Sequence, residues 1–302
     1  KIQFYTSRLF RLLPLFILVS LGYYFFEYCF EIIYHKEILF TKSREFAEKN
    51  ITVSILSTFS NIFMIGQDIL SWFYINKEGQ VLFFESQNLG GLDNNGFAWG
   101  GELRNNHPSW SIGLEIWFYL LAPFFSKWKT SILVVICITS ILLKIILVNF
   151  IGVHVYFFLP TQLYLFILGM IAFRIKINSF QNAYINFLLP VFLFLCLIFF
   201  RYVYLAEEMM RYLVLPLLLI FSIEYLFLKT SENKFDRFIG DLSYPIYISH
   251  SFILMLAPKL FPNNVIELLS YFTILGFSAI WVWKVDNKIN AFRWMMSKKI
   301  ME

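Results

Sequence analysis

Long apolar blocks joined by polar linkers constrain this chain more than any other feature. They fall at 9–30, 108–125, 131–150, 156–173, 184–200, 212–228, 242–260 and 266–283. A bilayer's hydrocarbon core takes about 20 apolar residues of helix. Backbone in lipid must satisfy its own hydrogen bonds, which a helix does. Charged residues make up 15% of the chain, against about 25% in soluble domains. The expected fold class is therefore all-α. It is a polytopic transmembrane helical bundle forming a single membrane domain over 1–302, with no soluble domain.

The placement of Lys and Arg orients the bundle. If Arg8 and Arg11 lie at the cytoplasmic face and 51–74 does not cross, then Lys127, Lys129, Arg174, Lys176, Lys229, Lys234 and Arg237 fall inside with the basic tail. Only Arg201, Arg211 and Lys259 remain in the short outer loops. A crossing at 51–74 would invert every later loop. The expectation is eight crossings, with 31–107 mostly an extracytoplasmic loop and 51–74 an interfacial or re-entrant segment within it. Residues 76–106, rich in Gly and Asn, read as an irregular loop. Pro14 is placed in the first turns of its helix, where proline is tolerated.

Within the block at 108–125 stands one carboxylate, Glu115. Charge in a membrane-grade helix is expensive, so such a group is a functional hypothesis by default. Ser111, Glu115 and Tyr119 are spaced by four and share one helix face. Pro108 and Ser109 mark the helix start, with Ser109 as N-cap. The competing reading is a core helix whose Glu pairs with a cation from a neighbour.

Other polar groups also interrupt or flank the apolar blocks. Arg8 and Arg11 share a face at a helix end. They read either as anchors that snorkel to the interface or as a phosphate clamp. His250 lies about 15 Å along its helix from Gly240, at 1.5 Å per residue. Ser243 and Tyr247 share its face. It suits proton chemistry or a hydrogen bond that joins helices. Lys144 and Glu224 read as structural partners or snorkelling side chains. Asp68, Asp93, Glu102, Arg104 and His107 line the loop region and could meet a polar substrate, but read first as ordinary solvated loop residues. Cys29, Cys137 and Cys196 sit in apolar blocks and read as small hydrophobes. No metal site, phosphate-binding loop, G-x-S-x-G or dinucleotide fingerprint is present. The net charge of +5 does not imply nucleic acid.

Three motifs occur in order: Tyr5-x-x-Arg8-x-x-Arg11-x-x-Pro14, Trp110-Ser111-x-x-x-Glu115-x-x-Phe118-Tyr119-x-x-x-Pro123, and Leu242-Ser243-Tyr244-x-x-Tyr247-x-x-His250. Leu159-Pro160-Thr161-Gln162, followed by Phe166-x-x-Gly169-Met170, falls between the last two. Together they resemble the acyltransferase-3 family of polytopic membrane O-acyltransferases, over the whole chain. The resemblance implies transfer of an acyl group, usually acetyl, from cytoplasmic acyl-CoA to a hydroxyl of a cell-surface or exported carbohydrate or lipid-linked glycan. The place is a bacterial cytoplasmic membrane. Acyl-CoA is then a co-substrate, with no permanently bound cofactor and no metal. Arg8 and Arg11 would bind the CoA phosphates. Glu115, Ser111 and His250 would serve catalysis, and Trp110, Tyr119 and Tyr247 would line the substrate site. The family has ten crossings, with two helices before the arginine motif and a catalytic-base histidine on the first. That base is expected upstream of Lys1, and a chain without it is expected to be inactive. His35, His107 and His154 do not stand in its context.

A different class remains open, a proton-coupled transporter of lipid-linked sugars or small anions. It would use Glu115 and His250 as a relay. Paired broken helices and inverted repeats would mark it, and the sequence has neither. A non-catalytic scaffold would need none of these buried polar groups.

Overall fold

The computed structural model describes residues 2–34, 41–83, 96–148, 155–175, 188, 190–192, 194–195, 214–260 and 265–292. The chain is mostly helical. Its helices are α1 (Ile2–Tyr34), α2 (Thr41–Glu48), α3 (Ile51–Phe63), α4 (Trp110–Phe125), α5 (Thr130–Ile146), α6 (Leu159–Ile175), α7 (Leu215–Thr230), α8 (Lys234–Leu260) and α9 (Ile266–Trp281). Two helical stretches among the described residues are long and apolar enough to cross a membrane, Phe4–Phe30 and Ile266–Phe292, at 27 residues each. The expected count of eight crossings is not reached on these. Helices α5 and α6 have 17 residues apiece, and much of 184–200 and the start of 212–228 lie outside the described residues.

Two compact units are present. One holds residues 1–123, 146–159 and 241–302, the other 124–145 and 160–240. The core of the first gathers Leu12, Leu15, Phe16, Val19 and Tyr23 of α1, Ile112 and Ile116 of α4, Ile248 of α8 and Trp281 of α9. The α1 set recurs at the three-and-four spacing of one helix face. Its other face is just as apolar and is exposed, with Leu21 at 59% and Phe25 at 71%. A helix greasy all round needs an apolar surrounding. Pro14 lies inside α1, not in its first turns, because the helix starts at Ile2 and not near Leu9. Phe4 and Tyr5 extend it by packing edge-on against each other, and Phe4 meets Tyr119 the same way.

The segment between α1 and α4 corrects two expectations. Residues 76–106 are not wholly irregular, and the fold is not purely α. Strands β1 (Phe73–Asn76), β2 (Val81–Phe83) and β3 (Phe97–Trp99) form an antiparallel sheet in the order β2-β1-β3. Tyr74 pairs with Leu82 on one side and Trp99 on the other. Strands this short carry too little alternation to be read from sequence. Asn76 makes the hairpin, its Oδ1 accepting from the amides of Glu78 at 3.1 Å and Gln80 at 2.8 Å. Gly79 completes it at φ +80°, where a Cβ would stand 3.1 Å from the Lys49 carbonyl. The sheet packs with α2 and α3 through Ala47, Val53, Leu70, Phe73, Ile75, Ala98 and Leu103. Arg44 ties this lobe to α1 by an ion pair with Glu27 at 2.5 Å, and its other nitrogen donates to Asn105 Oδ1 at 3.2 Å.

Helix α3 is amphipathic in the inverted sense. Its inner face is polar: Asn61 Nδ2 donates to Leu103 O at 2.8 Å, and Ser54 Oγ donates to Ala47 O at 2.9 Å. Its outer face is apolar, with Ile51 exposed at 73% and Ile55 at 62%. Its 13 residues span about 20 Å, short of the ~30 Å hydrocarbon core. Apolar medium against that exposed face predicts that Ile55→Cys resists a water-soluble maleimide in open membrane fragments, where both sides are accessible. Lys77→Cys, in the exposed β1–β2 turn, should react fully. Equal labelling at both positions would put the outer face of α3 in water.

In the second unit, buried Ser140 bridges α5 and α6. Its Oγ donates to Pro160 O at 2.5 Å and accepts from the Tyr164 amide at 3.1 Å. Lys144, buried in α5, is not a snorkeller: its Nζ donates to Gln162 Oε1 at 3.5 Å and lies 5.4 Å from the Tyr164 ring centroid. Arg174 donates to the carbonyls of Phe125, Ser126 and Trp128 at 3.2, 2.7 and 2.5 Å, capping the end of α4. The Glu224 side chain, Asp93, His35, His154 and Cys196 lie outside the described residues.

Candidate functional site

Helix α4 carries the expected stripe. The Tyr119 hydroxyl donates to Glu115 Oε1, one turn away on the same face. Ser111 Oγ lies 2.7 Å from the Tyr247 hydroxyl of α8. Both hydroxyls also reach Pro108 O, Tyr247 at 2.8 Å and Ser111 at 3.3 Å, so when one donates to that carbonyl the other can donate within the pair. Along the rest of the stripe, Glu115 falls within electrostatic reach of both Tyr244 and Tyr247. Tyr244 is fixed by donating to Leu12 O at 2.6 Å.

Both arginines of α1 act on the Tyr119 end of this stripe. The Arg8 guanidinium lies 5.1 Å from the Tyr119 ring centroid and 5.5 Å from that of Phe4. Arg11 is exposed, and its charge is felt at Tyr119 and Tyr244. Tyr5 completes the contact by donating to Leu120 O at 3.2 Å. Asp286 also acts on Tyr244. It sits in a π-helical turn, Val282–Asp286, and accepts from Trp281 Nε1 at 2.9 Å.

His250 is placed differently from the rest. Its Nδ1 stands 2.7 Å from Tyr247 O, a carbonyl of its own helix. A carbonyl only accepts, so Nδ1 donates there, and Nε2 is the nitrogen left to face other groups. No bond joins His250 to Glu115 or Ser111 among the described residues. The direct Glu115–His250 relay needed by a transporter is therefore missing from these bonds.

The end of the stripe away from the arginines holds residues that the sequence left between substrate contact and loop solvation. Asp68 and Arg104 are not solvated loop residues: they are 0% and 1% exposed. Arg104 donates through Nη1 to Gln67 O at 3.3 Å and to Ser71 Oγ. Its guanidinium lies 5.1 Å from the Trp99 ring centroid and 5.5 Å from that of Phe157. Trp110 continues this aromatic wall, 4.8 Å from Tyr156 and 5.0 Å from Phe157. Burial pushes the Asp68 carboxyl up to about 6, against hydrogen bonds that include one from Trp117 and the weaker pull of Arg104. Burial likewise draws Arg104 down to about 10, with Asp68 and Tyr247 opposing. His107 is lowered by burial and then by the Arg104 charge. Asp68 Oδ2, Arg104 Nε and Asn106 Oδ1 are buried without a hydrogen-bond partner. The sequence clue was the packing of Arg104, Asn105, Asn106 and His107 directly against a helix start.

Ser109 does not cap α4. It sits in a 3-10 turn, His107–Ser109, that leads into the helix. Its Oγ lies 2.7 Å from Gln67 Oε1 and 2.5 Å from Asn106 O. A cap's oxygen accepts from a helix amide; here the 3-10 turn aims the hydroxyl as a donor at Gln67 and Asn106.

These groups form one polar line within the first unit. It runs from Arg104 through Tyr247 and Ser111 to Glu115 and Tyr119, and on to Tyr244, Arg8 and Arg11. From Ser111 to Tyr119 it advances about 12 Å along α4 at 1.5 Å per residue. Such a line can hold an anionic group at the arginine end and polarise or deprotonate a group along its length.

No curated protein and no solved structure matches the chain. A family model described as an acyltransferase domain, that of acyltransferase-3, matches residues 1–284. The motifs quoted above fall within that match, and the chain belongs to the acyltransferase-3 family.

Proposed function

We propose that this acyltransferase is a multi-pass membrane O-acyltransferase. It moves an acyl group, typically acetyl, from cytoplasmic acyl-CoA to a hydroxyl of an exported or cell-surface carbohydrate. The observation that carries the reading is the polar line just described, set inside an apolar helical core. Polar and ionisable groups in such a core are costly even when paired, and in membrane helices they mark functional sites by default. The eight-crossing topology and the bacterial cytoplasmic membrane belong to the same proposal.

Arg8 and Arg11 would grip the phosphates of CoA, for which guanidinium forks are suited. The acceptor oxygen attacks the thioester carbonyl. A C–O bond forms, the C–S bond breaks, and the hydroxyl proton passes to a base and then to the departing thiolate. His250 Nε2 would be that base. Ser111 and Tyr247 can turn a hydroxyl toward the developing oxyanion. Glu115 would hold the local charge and orient Tyr119.

The test uses membranes of expressing cells, acetyl-CoA and extracted cell-surface carbohydrate. Arg8→Ala and Arg11→Ala should each raise KM for acetyl-CoA ten-fold or more, and His250→Ala should lower kcat by a similar factor. Wild-type protein that neither binds acetyl-CoA nor transfers its acyl group would end the reading. Three variants of undiminished activity would end it too.

A further inference from the structure

Helix α4 is apolar on nearly every side, so its hydrophobic pattern does not set its rotation about its own axis. Something else must aim Ser111 and Glu115. Residues 109, 113 and 117 recur at the same spacing as 111, 115 and 119. The two rows are offset by two positions, about 200° at 100° per residue, and so lie on opposite faces.

The 109–113–117 row meets the turn at Gln67 and Asp68. Ser109 Oγ lies 2.7 Å from Gln67 Oε1. At Gly113 the turn lies flat on the helix: a Cβ there would stand 2.8 Å from Asp68 Oδ1 and 2.9 Å from the Asp68 amide nitrogen. Trp117 Nε1 then donates to Asp68 Oδ1 at 3.2 Å. The turn is itself rigid. Gln67 Nε2 donates to Ser60 O at 2.6 Å, and Arg104 Nη1 donates to Gln67 O at 3.3 Å. Gln67 and Asp68 are both 0% exposed.

We propose that Asp68 is a positioning residue. Its carboxylate, with the backbone seated at Gly113, fixes the rotation and height of α4, so that Ser111 meets Tyr247 and Glu115 faces the arginine end. The proposal rests on the acyl-transfer reading. Trp117 serves as its contact, and Arg104 props it from behind.

The test measures kcat and KM for acetyl-CoA with the reconstituted protein and extracted cell-surface carbohydrate. Asp68→Ala and Gly113→Ala should lower kcat ten-fold or more. KM for acetyl-CoA should stay within two-fold, because Arg8 and Arg11 ride on α1. Asp68→Asn keeps an oxygen for Trp117 and should recover kcat to within three-fold of wild type. Trp117→Phe keeps most of the ring and loses the hydrogen bond; it should cost kcat three-fold or more. That variant carries the test alone if the harsher ones fail to fold. A Trp117→Phe enzyme with wild-type kcat overturns the positioning role, as does a parallel change of kcat and KM in Asp68→Ala. Absence of acetyl-CoA binding and turnover in the wild type removes the underlying reading instead.

Discussion

Glu115→Gln is expected to lower acyl transfer a hundred-fold or more while leaving the protein folded. The amide keeps an oxygen where Tyr119 donates, so the local hydrogen bond survives. What is lost is the negative charge that acts on Tyr119, Tyr244 and Tyr247. A charge held in an apolar core acts over longer distances than one in water, and acid–base groups contribute roughly 10²–10⁴-fold to rate. The check is the turnover of reconstituted protein beside its thermal midpoint. Full activity with a midpoint within about 2 °C of wild type would remove Glu115 from the reaction. Loss of the fold without a specific rate effect would make it a structural group.

Arg104→Met is expected to be the most destabilising single change in the outer lobe. It strips donors from Gln67 O and Ser71 Oγ and removes a cation facing Trp99 and Phe157. Breaking such a buried charged network costs about 3–5 kcal/mol. The change also leaves Asp68 without its positive neighbour, which sharpens a pH effect already present. Asp68 has a folded-state value near 6, above the ~3.9 of an unfolded aspartate. A raised carboxyl stabilises the fold fully below the unfolded value and loses that contribution as pH rises through the folded one. The lobe should therefore lose stability between about pH 4 and pH 6, by up to roughly 3 kcal/mol at 1.36 kcal/mol per unit. Melting in nanodiscs at pH 4.5 and 7 reads this directly. Arg104→Met should steepen the fall, and Asp68→Asn should flatten it. A wild-type slope that survives Asp68→Asn would assign it to other groups.

Features that rest on local repetition are legible in the chain alone. The apolar blocks, the helix over 110–125 and the shared face of Ser111, Glu115 and Tyr119 follow from the helical period, since residues four apart need no partner to be neighbours. The pairing of Arg8 with Arg11 follows the same way. Tertiary structure decided everything that depends on residues meeting across long stretches of chain. Tyr74 pairs with Trp99, Tyr247 reaches Ser111 at |i−j| 136, and Trp117 finds Asp68 at |i−j| 49. Asp68 and Arg104 look like solvated loop residues until the sheet, α3 and α4 close over them. His250 shares the face of Tyr247 in sequence, yet only the folded helix shows its Nδ1 spent on a backbone carbonyl. Polarity states what a side chain would cost if buried. Only packing decides whether that cost is incurred, because burial is set by distant segments competing for the same space.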